Sequence, residues 1–209
     1  MTSATSALKV LVAEGLAEPL SPLGYVSNPS RRKWVRETDQ LLHLVFLEKM
    51  HGLYYLQWGI VCPELVEIIW GMPYQTFDIG HAIVTGTPKT IRFPSRSGRF
   101  SDLDLATAPA DLSQRVREDV EVVTAWLEPL ASRKALRDYL LLNRERSDPR
   151  LLIPASLGLK LIVAAGLALL DGDLAGCELL AEAQTVSEPL NETSRTRIAG
   201  LHLLAADIC

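Results

Sequence analysis

From Leu8 the apolar positions recur at three- and four-residue steps, Leu8, Leu11, Val12 and Leu16, with Lys9, Glu14 and Glu18 between them. That is the period of an amphipathic helix and predicts one over residues 5–19. Pro19, Pro22 and Gly24 in "EPLSPLGY" predict its end. The period then changes. In "KWVRETDQLLHLVFLEKMHGLYYLQWGIV", residues 33–61, three runs rich in β-branched and aromatic residues are separated by the polar "ETDQ" and by "MHG". Three strands joined by short turns make an antiparallel meander. The middle run is apolar on both parities until Glu48, which predicts a central strand covered on both faces. In the third, Tyr54, Leu56, Trp58 and Ile60 share one parity, and Tyr55, Gln57, Gly59 and Val61 the other. One parity must face the core, but the pattern alone does not fix which.

After Cys62-Pro63 the pattern loosens, and "ELVEIIWGMPYQTF" predicts at most one helical turn. "DIGHAIVTGTP" and "KTIRF" predict a fourth strand and a shorter fifth, and "PSRSGRFSDLDLATAP" a loop. From about residue 109 the helical period returns. Val116, Val120, Val123, Trp126, Leu127 and Leu130 form an apolar stripe, with the charged residues mostly off it. A second helix is predicted over 131–143, "RERSDPR" as a linker, and three further helices over 154–170, 174–186 and 192–207. "LDGDLAG" marks a tight turn between helices. The expected fold is therefore α+β. A four- to five-stranded, mainly antiparallel sheet is packed by helices, and a C-terminal helical hairpin and one further helix follow. The sheet domain spans 1–145, and the helical region, 146–209, packs on it.

Residues 151–170, "LLIPASLGLKLIVAAGLALL", have the length and charged flanks of a membrane span. Lys160 at the centre costs about 2.5–3.5 kcal/mol on insertion scales, and Pro154, Ser156 and Gly158 dilute the apolarity. A buried helix is the expectation, and no membrane partner. Composition, at 48% hydrophobic and 22% charged, is that of an ordinary globular chain. The net charge of −4 lacks the dominant basic face that nucleic acid requires, so no nucleic-acid partner is expected. Three widely spaced cysteines, Cys62, Cys177 and Cys209, and no basic, apolar leader point to a reducing, cytoplasmic setting.

Candidate chemistry is sparse. His43 and His81 lie in predicted strands and could meet across the sheet, with Glu48 or Asp78 for acid–base work. Against that, most histidines in strands are satisfied packing residues. Lys89, Arg92, Arg96 and Arg99 occupy a stretch without acidic residues and could hold a phosphate or carboxylate, although a solvated loop has the same composition. Arg36, Lys49 and Gln57, with Glu48, could line whichever sheet face is open. No HExxH, GxSxG, Walker or Rossmann motif is present, Cys62 has no evident activating base, and no metal or cofactor is expected. "AAGLALLDGDLAGCELLAEA" resembles a tetratricopeptide-type helical hairpin, but one hairpin falls short of the three or so repeats such arrays need.

Leu23-Gly24-Tyr25, Lys33-Trp34, Arg36 and Trp58-Gly59-Ile60 follow one another in an order that resembles a bacterial family known only as domain of unknown function 4304. The resemblance covers about residues 5–140. The family has Gln-Lys-Ser at the end of its second strand; here Lys49 matches, and Glu48 and Met50 do not. The resemblance implies a small accessory protein and transfers no activity. Together these readings lead to a non-enzymatic protein-interaction or immunity-type accessory protein as the first expectation. The alternative is a small hydrolase or transferase with a polar pocket between sheet and helices, using His43 or His81 with Glu48.

Overall fold

A computed structural model describes residues 4–28, 32–50, 53–71, 82–94, 102–103, 109–142, 144, 148, 150–152, 156–186 and 192–209. The N-terminal helix, α1, begins as Ala4–Val10, continues as a π-helical segment over Leu11–Ala17, and runs on through Glu18–Leu20 into a 3₁₀ turn, Ser21–Leu23. It passes both prolines that the sequence suggests as stops. The reason is local. In the wider π turn the Glu18 amide reaches back to the Ala13 carbonyl, next to Pro19, which has no N–H to donate. Pro22 stands at the start of the 3₁₀ turn, where a missing donor costs nothing. Gly24, at φ 82°, ends the helix.

The sheet strands are β1 (Val26–Asn28), β2 (Lys33–Glu37), β3 (Leu42–Met50), β4 (Leu53–Val61) and β5 (Val84–Gly86). They pair antiparallel in that order, and a two-residue strand, β6 (Asp102–Leu103), pairs with β4 beyond β5. The predicted α+β architecture stands. β3 and β4 match from Leu42↔Val61 to Met50↔Leu53. In this register Trp34, Arg36, His43, Val45, Lys49, Tyr54, Trp58 and Ile60 share one face. Val35, Leu44, Phe46, Glu48 and Gln57 share the other. Both faces are buried at their centres, so β3 and β4 are covered on both sides.

Two predicted elements are corrected. "ELVEIIWG" forms a full helix, α2 (Pro63–Trp70), with Pro63 in its first turn and Gly71 at φ 64° closing it. "KTIRF" is no strand; Pro88–Arg92 is a short helix, α3. Thr87 and Thr90 form a reciprocal capping box, each side-chain oxygen accepting from the other's backbone N–H at 3.2 and 3.1 Å. That local chemistry, with Pro88 pre-set for a first turn, outranks the β-branched content of the segment.

Helices α4 (Pro109–Leu127), α5 (Arg133–Leu142), α6 (Leu157–Leu170), α7 (Ala175–Val186) and α8 (Glu192–Ala206) follow the predicted spans closely. A 3₁₀ turn, Glu128–Leu130, extends α4. Its stripe, Leu112, Val116, Val120, Val123 and Leu127, is buried, and Trp126 lies 6.4 Å from Trp58 of the sheet. α6 and α7 form the predicted hairpin. Gly172, at φ 68°, ends α6, and the Asp173 carboxylate accepts the Ala175 amide at 2.9 Å to start α7. α8 lies across α2 so closely that a Cβ on Gly200 would sit 2.3 Å from the Ile68 carbonyl oxygen. One hydrophobic core therefore runs from the sheet into the helical region.

No helix among the described residues is long and apolar enough to cross a membrane. α6 is only 14 residues, about 21 Å at 1.5 Å per residue, against a hydrocarbon thickness of about 30 Å. Its Lys160 is 1% exposed, with burial depressing its pKa and the nearby Asp148 charge partly restoring it.

Candidate functional site

Among the described residues, the sequence-derived candidates His43 and Glu48 do not converge. His43 and Glu48 stand on one strand five residues apart, so the pleat points them to opposite faces. His43 is fully buried, its Nε2 placed 3.3 Å from the Leu130 carbonyl oxygen. Its Nδ1 is buried with no hydrogen-bond partner among the described residues. Burial pushes its pKa down to about 4, against the pull of the Leu130 carbonyl, and the Arg36 charge lowers it further. Such a histidine is neutral at pH 7 and closed off from a substrate. On the other face Glu48 accepts a hydrogen bond from Gln57 Nε2 at 2.5 Å. His81, Asp78, Arg96 and Arg99 lie outside the described residues.

The described basic binders have partners within the fold. Arg36 reaches Glu128 at 2.6 Å and lies 5.6 Å over the Tyr25 ring, tying β2 to the end of α4. Lys49 Nζ is 5.7 Å from the Tyr54 ring centre, and Arg32 lies 5.3 Å from the same ring. Arg92 pairs with Asp119 at 3.2 Å, bolting α3 to α4. Burial raises the Asp119 pKa, and Arg92 pulls it back. Lys89 is half-buried in α3. The register also splits the set expected on one open face: Arg36 and Lys49 are on one side, Glu48 and Gln57 on the other. The predicted anion cradle and the predicted acid–base pocket are not assembled by the described residues.

Two features missed by the sequence reading are better built. The first lies in "RERSDPR", expected as a linker, of which Arg144, Asp148 and Arg150 are described. Arg150 grips Asp148 with Nε and Nη2 at 3.0 and 3.1 Å, and its own amide donates to the same carboxylate at 2.9 Å. Tyr139 donates its hydroxyl to the other carboxylate oxygen. Burial alone would raise the Asp148 pKa, but Arg150 and Tyr139 outweigh it and hold the carboxyl below its ordinary value. The Arg150 guanidinium stacks 4.9 Å over Trp126. Arg150 and Leu152 are also tied to α3 and to the sheet: Thr90 Oγ1 of α3 donates to the Arg150 carbonyl at 2.8 Å, and the Leu152 amide to the Thr85 carbonyl of β5 at 2.7 Å. Every polar atom of this Asp148 side chain is satisfied internally, which makes it a brace. The readable signal was an acid and an arginine two residues apart within an otherwise polar run.

The second feature is in the helical region. Cys177 on α7 and Cys209 after α8 form a disulfide, with Cα atoms 6.3 Å apart. This changes the picture drawn from odd, widely spaced cysteines. Beside the disulfide α7 and α8 leave an open groove of about 360 Å³, walled by Leu180, Ala181 and Gln184 on one helix and His202, Ala205 and Ala206 on the other. Gln184 Nε2 and His202 Nε2 touch across it. Cys62, at the head of α2, is a buried free thiol whose pKa burial pushes up to about 11. It is no nucleophile at neutral pH. Among the described residues no group of three or more His, Cys, Asp or Glu is placed to hold a metal ion. Compared with known proteins, the chain matches no family, no curated sequence and no solved structure.

Proposed function

We propose that this chain is a non-enzymatic interaction protein, of the accessory or immunity type, that acts by covering a partner through its helical region. One observation carries the reading. Large apolar side chains stand in solvent in that region and just before it: Leu142 at the end of α5 is 83% exposed, Leu174 before α7 is 64% exposed, and Leu203 on α8 is 77% exposed. Single exposed leucines are common, but three this exposed on α5, before α7 and on α8 favour contact with another apolar surface. The chemistry-bearing side chains point the same way, because His43 and Glu48 diverge and Arg36 and Arg92 are held in ion pairs. The order of helix, glycine turn and meander supports the resemblance to domain of unknown function 4304, which stands as part of the same proposal, as does a cytoplasmic setting.

The test is affinity capture from a lysate with the full chain as bait, beside a Leu142→Asp/Leu203→Asp variant of equal thermal stability. A single stoichiometric partner that survives moderate salt and is lost on the variant is the expected result. Absence of any partner, or one retained equally by both baits, overturns the assignment of the helical face.

A further inference from the structure

We propose that the Cys177–Cys209 disulfide is a reversible redox clasp, a thiol–disulfide exchange site whose reduction opens the α7–α8 groove without unfolding the protein. Three observations carry it. The bond is reachable: both cysteines line the groove, Cys177 half-buried and Cys209 exposed, so a small thiolate can approach from solvent. The bond is also isolated. Cys62 is fully buried at the head of α2, so it supplies no third thiol for internal reshuffling. Finally, the bond is not what docks α8. That helix is anchored through Ile198 and Leu201, both buried, and through the contact of Gly200 with the Ile68 carbonyl. Gly200 meets Ile68 of α2, and Leu201 packs against Gly166 of α6. The edge of α8 that faces α7 carries the groove instead, with Gln184 and His202 meeting across it. Cutting the clasp therefore frees the last turn of α8 from α7 and leaves the rest of the helix seated.

The exchange balances with a low-molecular-weight thiol such as glutathione as reductant. Its thiolate attacks the Cys209 sulfur, the S–S bond breaks, and Cys177 leaves as a thiolate. A second glutathione thiolate attacks the mixed disulfide at the glutathione sulfur and releases Cys209. Two electrons pass to the protein, glutathione disulfide is formed, and the two glutathione protons end on the cysteine thiols. Glutathione disulfide drives the same steps backward. The proposal concerns the state of the groove and does not depend on what binds there.

The full chain would be equilibrated in glutathione buffers of stepped redox ratio, alkylated under native conditions and read by mass spectrometry, with hydrogen exchange followed in parallel. The expected result is that Cys177 and Cys209 become labelled together and revert together, while Cys62 stays unlabelled. Amide exchange should rise at least tenfold in 203–209 and the facing turns of α7, and stay unchanged in β3 and β4. Cys209→Ser should reproduce the reduced pattern without reductant, and Cys177→Ser should do the same from the other side. Labelling of Cys62 along with the pair, or faster exchange in the sheet, would show a global brace and overturn the idea. So would a pair that resists reduction across the whole buffer series, or two thiols that never join in the oxidising buffers.

Discussion

His43 turns burial into a pH dependence whose size follows from the structure. In the neutral ring Nε2 faces the Leu130 carbonyl, and Nδ1 is buried with no partner. Protonation would place a charged N–H at Nδ1 with nothing to accept it, next to the Arg36 charge, which accounts for a folded pKa of about 4 against 6.5 in the unfolded chain. The sign follows from which state holds the proton. Between the two values the unfolded chain takes it and the folded one refuses it, so stability is full above 6.5 and falls as pH drops toward 4. Integrated, the loss from this residue is about 2 kcal/mol at about pH 5 and about 3 kcal/mol at about pH 4, relative to neutral pH. Gln in its place keeps a donor for Leu130 and does not titrate. Urea unfolding followed by circular dichroism, at about pH 7.5 and about pH 5, should show the wild type losing about 2 kcal/mol more than His43→Gln over that interval. Other titrating groups act on both proteins and cancel in the difference. Parallel losses in the two proteins would refute the buried, neutral histidine.

Arg150→Ala strips the Asp148 carboxylate of two side-chain donors and uncovers Trp126; it should cost about 2 kcal/mol, with a change in tryptophan emission, measured by denaturant titration read by fluorescence. Gly86→Ala drives a methyl to 2.4 Å from Trp58 and 2.8 Å from the Arg150 carbonyl, and should cost about 3 kcal/mol, seen as a fall in Tm. Gly200→Ala meets a backbone carbonyl at 2.3 Å, whereas Gly166→Ala meets the movable end of Leu65 at the same distance. The first should therefore be the more destabilising by about 1 kcal/mol or more, and an equal cost would mean that α8 can slide on α2.

Legibility tracked how far a pattern extends. β3 and β4 alternate, or stay apolar, for nine residues each, and their limits follow from the sequence to within a residue. α6, α7 and α8 were legible because an apolar period met explicit turn chemistry at Gly172 and Asp173. Short elements carry no period. Val26–Asn28 and Asp102–Leu103 become strands only because β2 and β4 offer them partners. "KTIRF" misleads because five residues of β-branched content say less than a Thr-Pro-x-Thr start. The failed pairing of His43 with Glu48 was itself readable, since an odd separation on one strand forbids a shared face. What no local reading supplies are contacts such as Arg36 with Glu128, 92 residues apart, or Cys177 with Cys209, 32 apart.

Those distant contacts bear on where function can reside. Arg36–Glu128 joins β2 to α4, and Arg92–Asp119 joins α3 to α4. Arg133 reaches both Glu64 on α2 and Asp171 after α6, and Arg137 reaches Asp173 in the same turn. Each pair crosses between elements, and each arginine here has less than a third of its side chain exposed. An arginine fixed in this way offers its donors to the fold, so a ligand would have to displace a carboxylate already in place, and in the Arg92 pair it would leave Asp119 buried and unpaired. The exposed pairs are a different matter: Arg144 with Glu182 has about two fifths of each side chain in water and contributes little, so it yields to a partner at small cost. Arg144 follows α5, Glu182 lies on α7, and exposed Leu142 ends α5. Weak ion pairing and exposed apolar side chains thus both occur around α5, α7 and α8, and the last two also carry the groove and its clasp. On the proposed interaction reading, a partner seated there would displace weak pairs and bury apolar side chains, and the expected complex tolerates salt and weakens on Leu142→Asp.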